Sequence, residues 1–173
     1  MNLLSLAILS YALADAPKEM SSFTQVLEFE TYAGINVRYF GNSGEESQKI
    51  QEYVNDANAV FWVVTEYDPA DLCKSQDIDI LDITLEEIND RSRMRWVSWY
   101  SISHKVYGLY RPTYTYRERS ELFISHDVTI SERQRAYLVA HELSHYWQDM
   151  MCYEQSEEDA DTFGRLFMQM IKD

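Results

Sequence analysis

Positive charge is scarce in this sequence: 15 Lys and Arg stand against 29 Asp and Glu, a formal net charge of -14. That balance excludes nucleic acid as a partner, because its phosphates would be repelled, and argues against docking on an anionic membrane surface. Long apolar runs are missing as well. The stretch from Leu3 to Leu13 is shorter than the roughly 20 residues a spanning helix needs, so no stable membrane insertion is expected. Internal repeats and low-complexity tracts are absent. Cysteine is limited to Cys73 and Cys152, which leaves a single pairing to consider. What remains is a chain of 173 residues, 46% hydrophobic and 25% charged, suited to one globular domain with a real core.

The N-terminus reads MNLLSLAILSYALADAP. Its short apolar run ends in Ala12-Leu13-Ala14, a small-x-small site before Asp15, and this predicts a signal peptide over residues 1–14 cleaved near Ala14. The pattern departs from the usual one in lacking Lys or Arg near Met1. A secreted or periplasmic location follows, and in such an oxidising compartment Cys73 and Cys152 can pair. The alternative is two buried free thiols.

Further along, GINVRYF (34–40) alternates apolar and polar residues and predicts a strand ended by GNSG. From Glu45 to about Glu66 the spacing is helical, with Ile50, Val54, Ala57, Phe61 and Val64 on one face and Pro69 beyond the end. DIDILDI (77–83) predicts a second strand. Its carboxylates lack the glycine a calcium loop needs, so an exposed strand edge is the better reading. Thr84 with Glu87 can cap a short helical turn. Residues 94–125 look mainly extended, in the pieces MRWVSWYSI, KVYGLYR and ELFIS. Ser131 with Gln134 makes a capping box for a helix running to about Met150, and a final helix occupies most of 154–172. The expected fold is α+β, a small, mainly antiparallel sheet packed with helices. His104 and His126 have no partner at ligand spacing and are expected to be surface or hydrogen-bonded residues.

The chemistry concentrates in HELSH and the acidic segment after it. At 100° per residue His141 and His145 lie about 40° apart, one turn from each other, so two imidazoles can reach one ion. Tyr137, Ser144 and Gln148 share their side, while Ala136, Val139, Leu143, Trp147 and Met150 cover the other. Such a helix is apolar over most of its circumference, and its narrow polar stripe looks into a cleft rather than into bulk water. Glu142, about 100° from His141, can reach a water at the ion without binding the ion itself. A third ligand must come from Glu154, Glu157 or Glu158. On the last helix Glu157 borders the apolar side formed by Ala160, Phe163, Gly164, Phe167 and Ile171, whereas Glu158 points away and Glu154 lies at the frayed start. Glu157 is therefore the expected ligand. Asp161, one turn on, is placed to accept a hydrogen bond from a ligand histidine, and Ala160 and Gly164 permit close helix approach.

HELSH followed by Glu157-x-x-Ala160-Asp161 resembles the gluzincin metallopeptidases, and the stretch GLY…ELFIS…AHELSH is similar to minigluzincins and the ImmA/IrrE-like group. The likeness covers roughly the C-terminal 70 residues and is specific for a zinc site more than for a substrate. It implies that residues 15–173 form a single zincin-like domain, with an active-site helix followed by a C-terminal helix. It also implies Zn2+ held by His141, His145 and Glu157, and hydrolysis of a peptide or protein substrate with Glu142 as general base. Tyr153 or Tyr110 would steady the developing oxyanion, with Tyr153 the choice, and one extended segment, 105–110 or 119–125, would form an edge strand that pairs with the peptide. Two rivals stand beside this reading: a metal-containing binding or inhibitory module that cuts nothing, and a secreted domain without metal.

Overall fold

A computed structural model describes residues 24–31, 34–42, 44–65, 72–73, 77–83, 108–112, 119–126 and 130–171. Among these residues eight elements follow one another: strands β1 (Gln25–Glu30) and β2 (Asn36–Phe40), helix α1 (Glu45–Thr65), strands β3 (Asp77–Ile83), β4 (Gly108–Arg111) and β5 (Arg119–Ser125), and helices α2 (Glu132–Met150) and α3 (Glu157–Met170). The chain is α+β, as its pattern predicts. The segments MRWVSWYSI and Thr84–Glu87, residues 1–14 and His104 lie outside the described residues.

The strands pair in the order β1-β2-β3-β5-β4. Here the expectation of a mainly antiparallel sheet needs correcting. β1 with β2 and β4 with β5 are antiparallel, but β2 with β3 and β3 with β5 are parallel, so the sheet is mixed. The parallel pairing is possible because the connection from β2 to β3 runs through α1, long enough to carry the chain back to the same end.

DIDILDI is not an exposed edge but the central strand. Its Asp79 side chain is 2% exposed and that of Asp82 fully buried. Partners that reach these carboxyl groups from distant segments offset the cost of burying them. Asp79 accepts two hydrogen bonds from Arg38, at 2.8 and 2.7 Å, and one from Arg119 at 2.6 Å. Asp82 accepts from the Tyr39 hydroxyl at 2.8 Å and lies 3.4 Å from Arg135. His126, expected to be a surface or hydrogen-bonded residue, has Nδ1 3.4 Å from Asp82 Oδ1.

One sheet face, with Val37, Tyr39, Ile78, Ile80, Leu122 and Ile124, packs against the helices. The other face holds a smaller buried group, Phe40, Leu81, Ile83 and Phe123. Helix α1 seats Ile50, Val54, Ala57 and Phe61 in the main core. Fully burying an Ile, Val or Phe side chain contributes about 1.5–3 kcal/mol, which holds an otherwise polar helix in place. Val64, expected on the same face, is 48% exposed because the buried stripe ends at Phe61, one turn before the helix does. On α2 the box closes as predicted: the Ser131 hydroxyl accepts from Gln134 N–H at 3.3 Å, and the Gln134 side chain accepts from Ser131 N–H at 2.9 Å. Phe61 stacks on Trp147 with ring centroids 5.4 Å apart, which ties α1 to α2 beneath the histidines.

Candidate metal centre

Helix α2 is largely buried beyond its first turn, and from its polar stripe Tyr137, His141 and His145 reach residues of α3. The helices approach closely because α3 presents Ala160 and Gly164 there. A methyl group on Gly164 would come within 2.7 Å of the Tyr137 ring. The close approach brings His141, His145 and Glu157 together, with one ligand atom from each lying within 4.8 Å of the others. Glu157 Oε2 stands 3.4 Å from His141 Nε2 and 3.4 Å from His145 Nε2. Two donors held at bonding distance by a tetrahedral zinc ion stand about 3.4 Å apart, so this spacing fits the ion. The two imidazoles lie edge to face, 82° between their planes and 4.9 Å between centroids. Their side chains are 13% and 8% exposed, while Glu157 is 85% exposed, so the group is sheltered on the α2 side and open on the α3 side. Glu154 and Glu158 are exposed and stand outside the cluster.

The electrostatics bind the three together even without an ion. Hydrogen bonding to His141, then to His145, holds the Glu157 carboxyl far below its ordinary range. Burial works against a charged His145 ring, but Glu157 and the charge of Glu142 outweigh it and raise the pKa. Glu142 itself is 5% exposed, and burial pushes its carboxyl up against the pull of His141 and His145. The backbone N–H of Tyr110, on β4, donates to it.

Asp161 stands where the wheel puts it, Oδ1 3.3 Å from His141 Nδ1. The approach is oblique, and the buried Nδ1 lacks a well-formed hydrogen bond. Asp161 Oδ1 is taken instead by the Tyr137 hydroxyl at 2.6 Å. For His145 the orienting residue is Gln148, which shares the polar stripe one turn on. Its Oε1 lies 3.2 Å from His145 Nδ1 and accepts from Ser156 N–H at 3.0 Å, while its Nε2 donates to Ser156 O at 3.2 Å. Ser156 caps α3, so one amide fixes the His145 ring and the start of the helix that carries Glu157. The i,i+3 spacing of His145 and Gln148 is the only local signal of this. If the cluster holds zinc, Gln148→Leu should weaken its binding by about 10–100-fold in chelator competition. An unchanged affinity would remove Gln148 from the site.

The two tyrosines separate. Tyr110 is 6% exposed and gives its hydroxyl to Asp149 at 2.8 Å, with Ser120 Oγ at 3.3 Å, so it is committed inside the core. Tyr153 is 57% exposed on the turn between α2 and α3, where its backbone N–H donates to Gln148 O. Of the two segments proposed for peptide pairing, β4 is an edge of the sheet among the described residues, while β5 lies inside it between β3 and β4. Cys152, on the same turn as Tyr153, is bonded to Cys73, and both residues are exposed rather than buried thiols. Comparison of the chain with protein-family models, with curated proteins and with solved structures finds no match.

Proposed function

We propose that this chain is an exported zinc-dependent peptidase, the activity its resemblance to gluzincins implies. The observation that supports the reading best is the position of one Glu157 oxygen, 3.4 Å from the Nε2 atoms of both histidines, beside a buried carboxylate that is not part of the cluster. His141, His145 and Glu157 would hold the ion. When bound, zinc supplies a Lewis acid that makes water nucleophilic near neutral pH and polarises a carbonyl. Glu142 takes the proton of the attacking water and delivers it to the leaving amine, and its raised pKa suits a group that must hold a proton between those steps. Gln148 keeps the His145 ring turned towards the ion. A substrate backbone pairs with the edge strand β4, and Tyr153, the exposed tyrosine of the two, steadies the oxyanion. A purely structural zinc site would have no use for Glu142 and would not leave a coordination position free. Export is supported by the Ala12-Leu13-Ala14 pattern and by the Cys73–Cys152 bond, which needs an oxidising compartment to persist.

The test starts from protein recovered outside the cytoplasm, whose intact mass should match a chain beginning at Asp15. Metal analysis should find zinc, and a quenched peptide library should be cut, with turnover lost on chelation and restored by added zinc. Zinc without turnover on any peptide would point to a binding or inhibitory module. Absence of zinc would overturn both readings.

A further inference from the structure

Gly108 opens β4, pairs with Ile124 across the sheet and is buried. The described glycines with positive φ are Gly34 and Gly44, so the backbone at Gly108 is one that any residue adopts. Glycine inside a strand gives up side-chain packing and chain stiffness, and where the backbone does not require it, the usual reason is close approach of another group. That group is Glu142. A methyl group at position 108 would stand 2.5 Å from Glu142 Oε1, 3.0 Å from Cγ and 3.1 Å from Cδ. The clash involves the stem of the side chain as well as its tip, and Glu142, 5% exposed, has little room to turn away. Two residues along the same strand, the Tyr110 N–H donates to this carboxylate.

We propose that Gly108 is a positioning residue for Glu142: its bare α-carbon is the space in which the general base lies against the edge strand. The catalytic part of this proposal rests on the peptidase reading; the packing part does not. Adding a methyl at position 108 must push the Glu142 carboxylate away by about 1 Å to restore ordinary contact distances. A displacement of that size at a proton-transferring group costs about 10²-fold in rate.

Two double-mutant cycles test it. In the metal-free protein, Gly108→Ala should lower Tm, and the drop should vanish in a Glu142→Ala background, where the colliding atoms are gone. In the zinc-loaded protein, assayed on whichever library peptide the wild type cuts fastest, Gly108→Ala should lower kcat about 10²-fold. KM and zinc affinity should hardly move. In a Glu142→Asp background, whose shorter side chain withdraws from the methyl, the same change should cost no further activity. Equal Tm drops in both backgrounds would overturn the contact, whether or not the protein hydrolyses anything. A coupled Tm effect with undiminished kcat would overturn the positioning role. If the wild type binds zinc and cuts nothing while the Tm cycle is coupled, the packing stands and the peptidase reading falls.

Discussion

On the peptidase reading, Glu142→Gln is expected to lower kcat by about 10²–10⁴-fold while zinc stays bound. The substitution keeps the size and shape of the side chain and removes only its ability to take up and return a proton. The amide oxygen can still accept the Tyr110 N–H that the carboxylate accepts now. Stability should hold or rise, because a neutral amide avoids the cost of keeping a charge at 5% exposure. Zinc affinity should change little, since Glu142 is not among the three residues whose donor atoms converge. Parallel measurements of peptide turnover, bound zinc and Tm separate these effects. Loss of zinc from the Glu142→Gln variant would reverse the roles of Glu142 and Glu157, and near-normal turnover would remove the general base.

Removing the Cys73–Cys152 bond should give the largest change in stability. The bond closes a sequence separation of 79 residues, and a loop of that length corresponds to about 4.5 kcal/mol on the chain-entropy scale. Against a total of about 5–15 kcal/mol for a domain of this kind, that is a large share. The bond joins the segment leading into β3 to the turn between α2 and α3, where Cys73 N–H also donates to Met150 O at 3.1 Å. The paired Cys73→Ser and Cys152→Ser variant should unfold at clearly lower denaturant, and wild-type protein in reductant should match it, since both cysteines are exposed to the reagent. Equal midpoints with and without reductant would show that the bond contributes nothing in solution. Local order in the turn does not depend on the bond alone. Gln155 Nε2 donates to His145 O at 2.9 Å, and Gln148 holds Ser156 from both sides. The loss should therefore register in global unfolding before it registers in zinc affinity.

Much of the centre is legible in the residues themselves. The pairing of His141 with His145, the capping box at Ser131 and the choice of Glu157 over Glu158 all follow from helical period and from side chains within a turn or two. These are short-range properties, written wherever the chain has one regular conformation. The strands were harder. GINVRYF and DIDILDI have a recognisable alternation, but β1 passed unnoticed, a half-exposed edge strand whose pattern is weak. The place of DIDILDI at the centre of a mixed sheet was missed because its acidic residues look like surface residues until Arg38 and Arg119, about 40 positions away in either direction, arrive to pair with Asp79.

The double duty of Gln148 and the fit of Gly108 around Glu142 belong to the same class. Each joins groups on separate elements, and neither residue type marks its role in isolation. By itself the sequence determined most of the inward face of each helix, the capped start of α2, and the grouping of two imidazoles with one carboxylate. Tertiary structure alone decided strand order, the burial of Asp79 and Asp82, the closure of the disulfide and the space left for the Glu142 carboxylate. The physical reason is range: backbone period and caps depend on neighbours within a few residues, whereas packing and charge pairing depend on which distant segments the folded chain brings into contact.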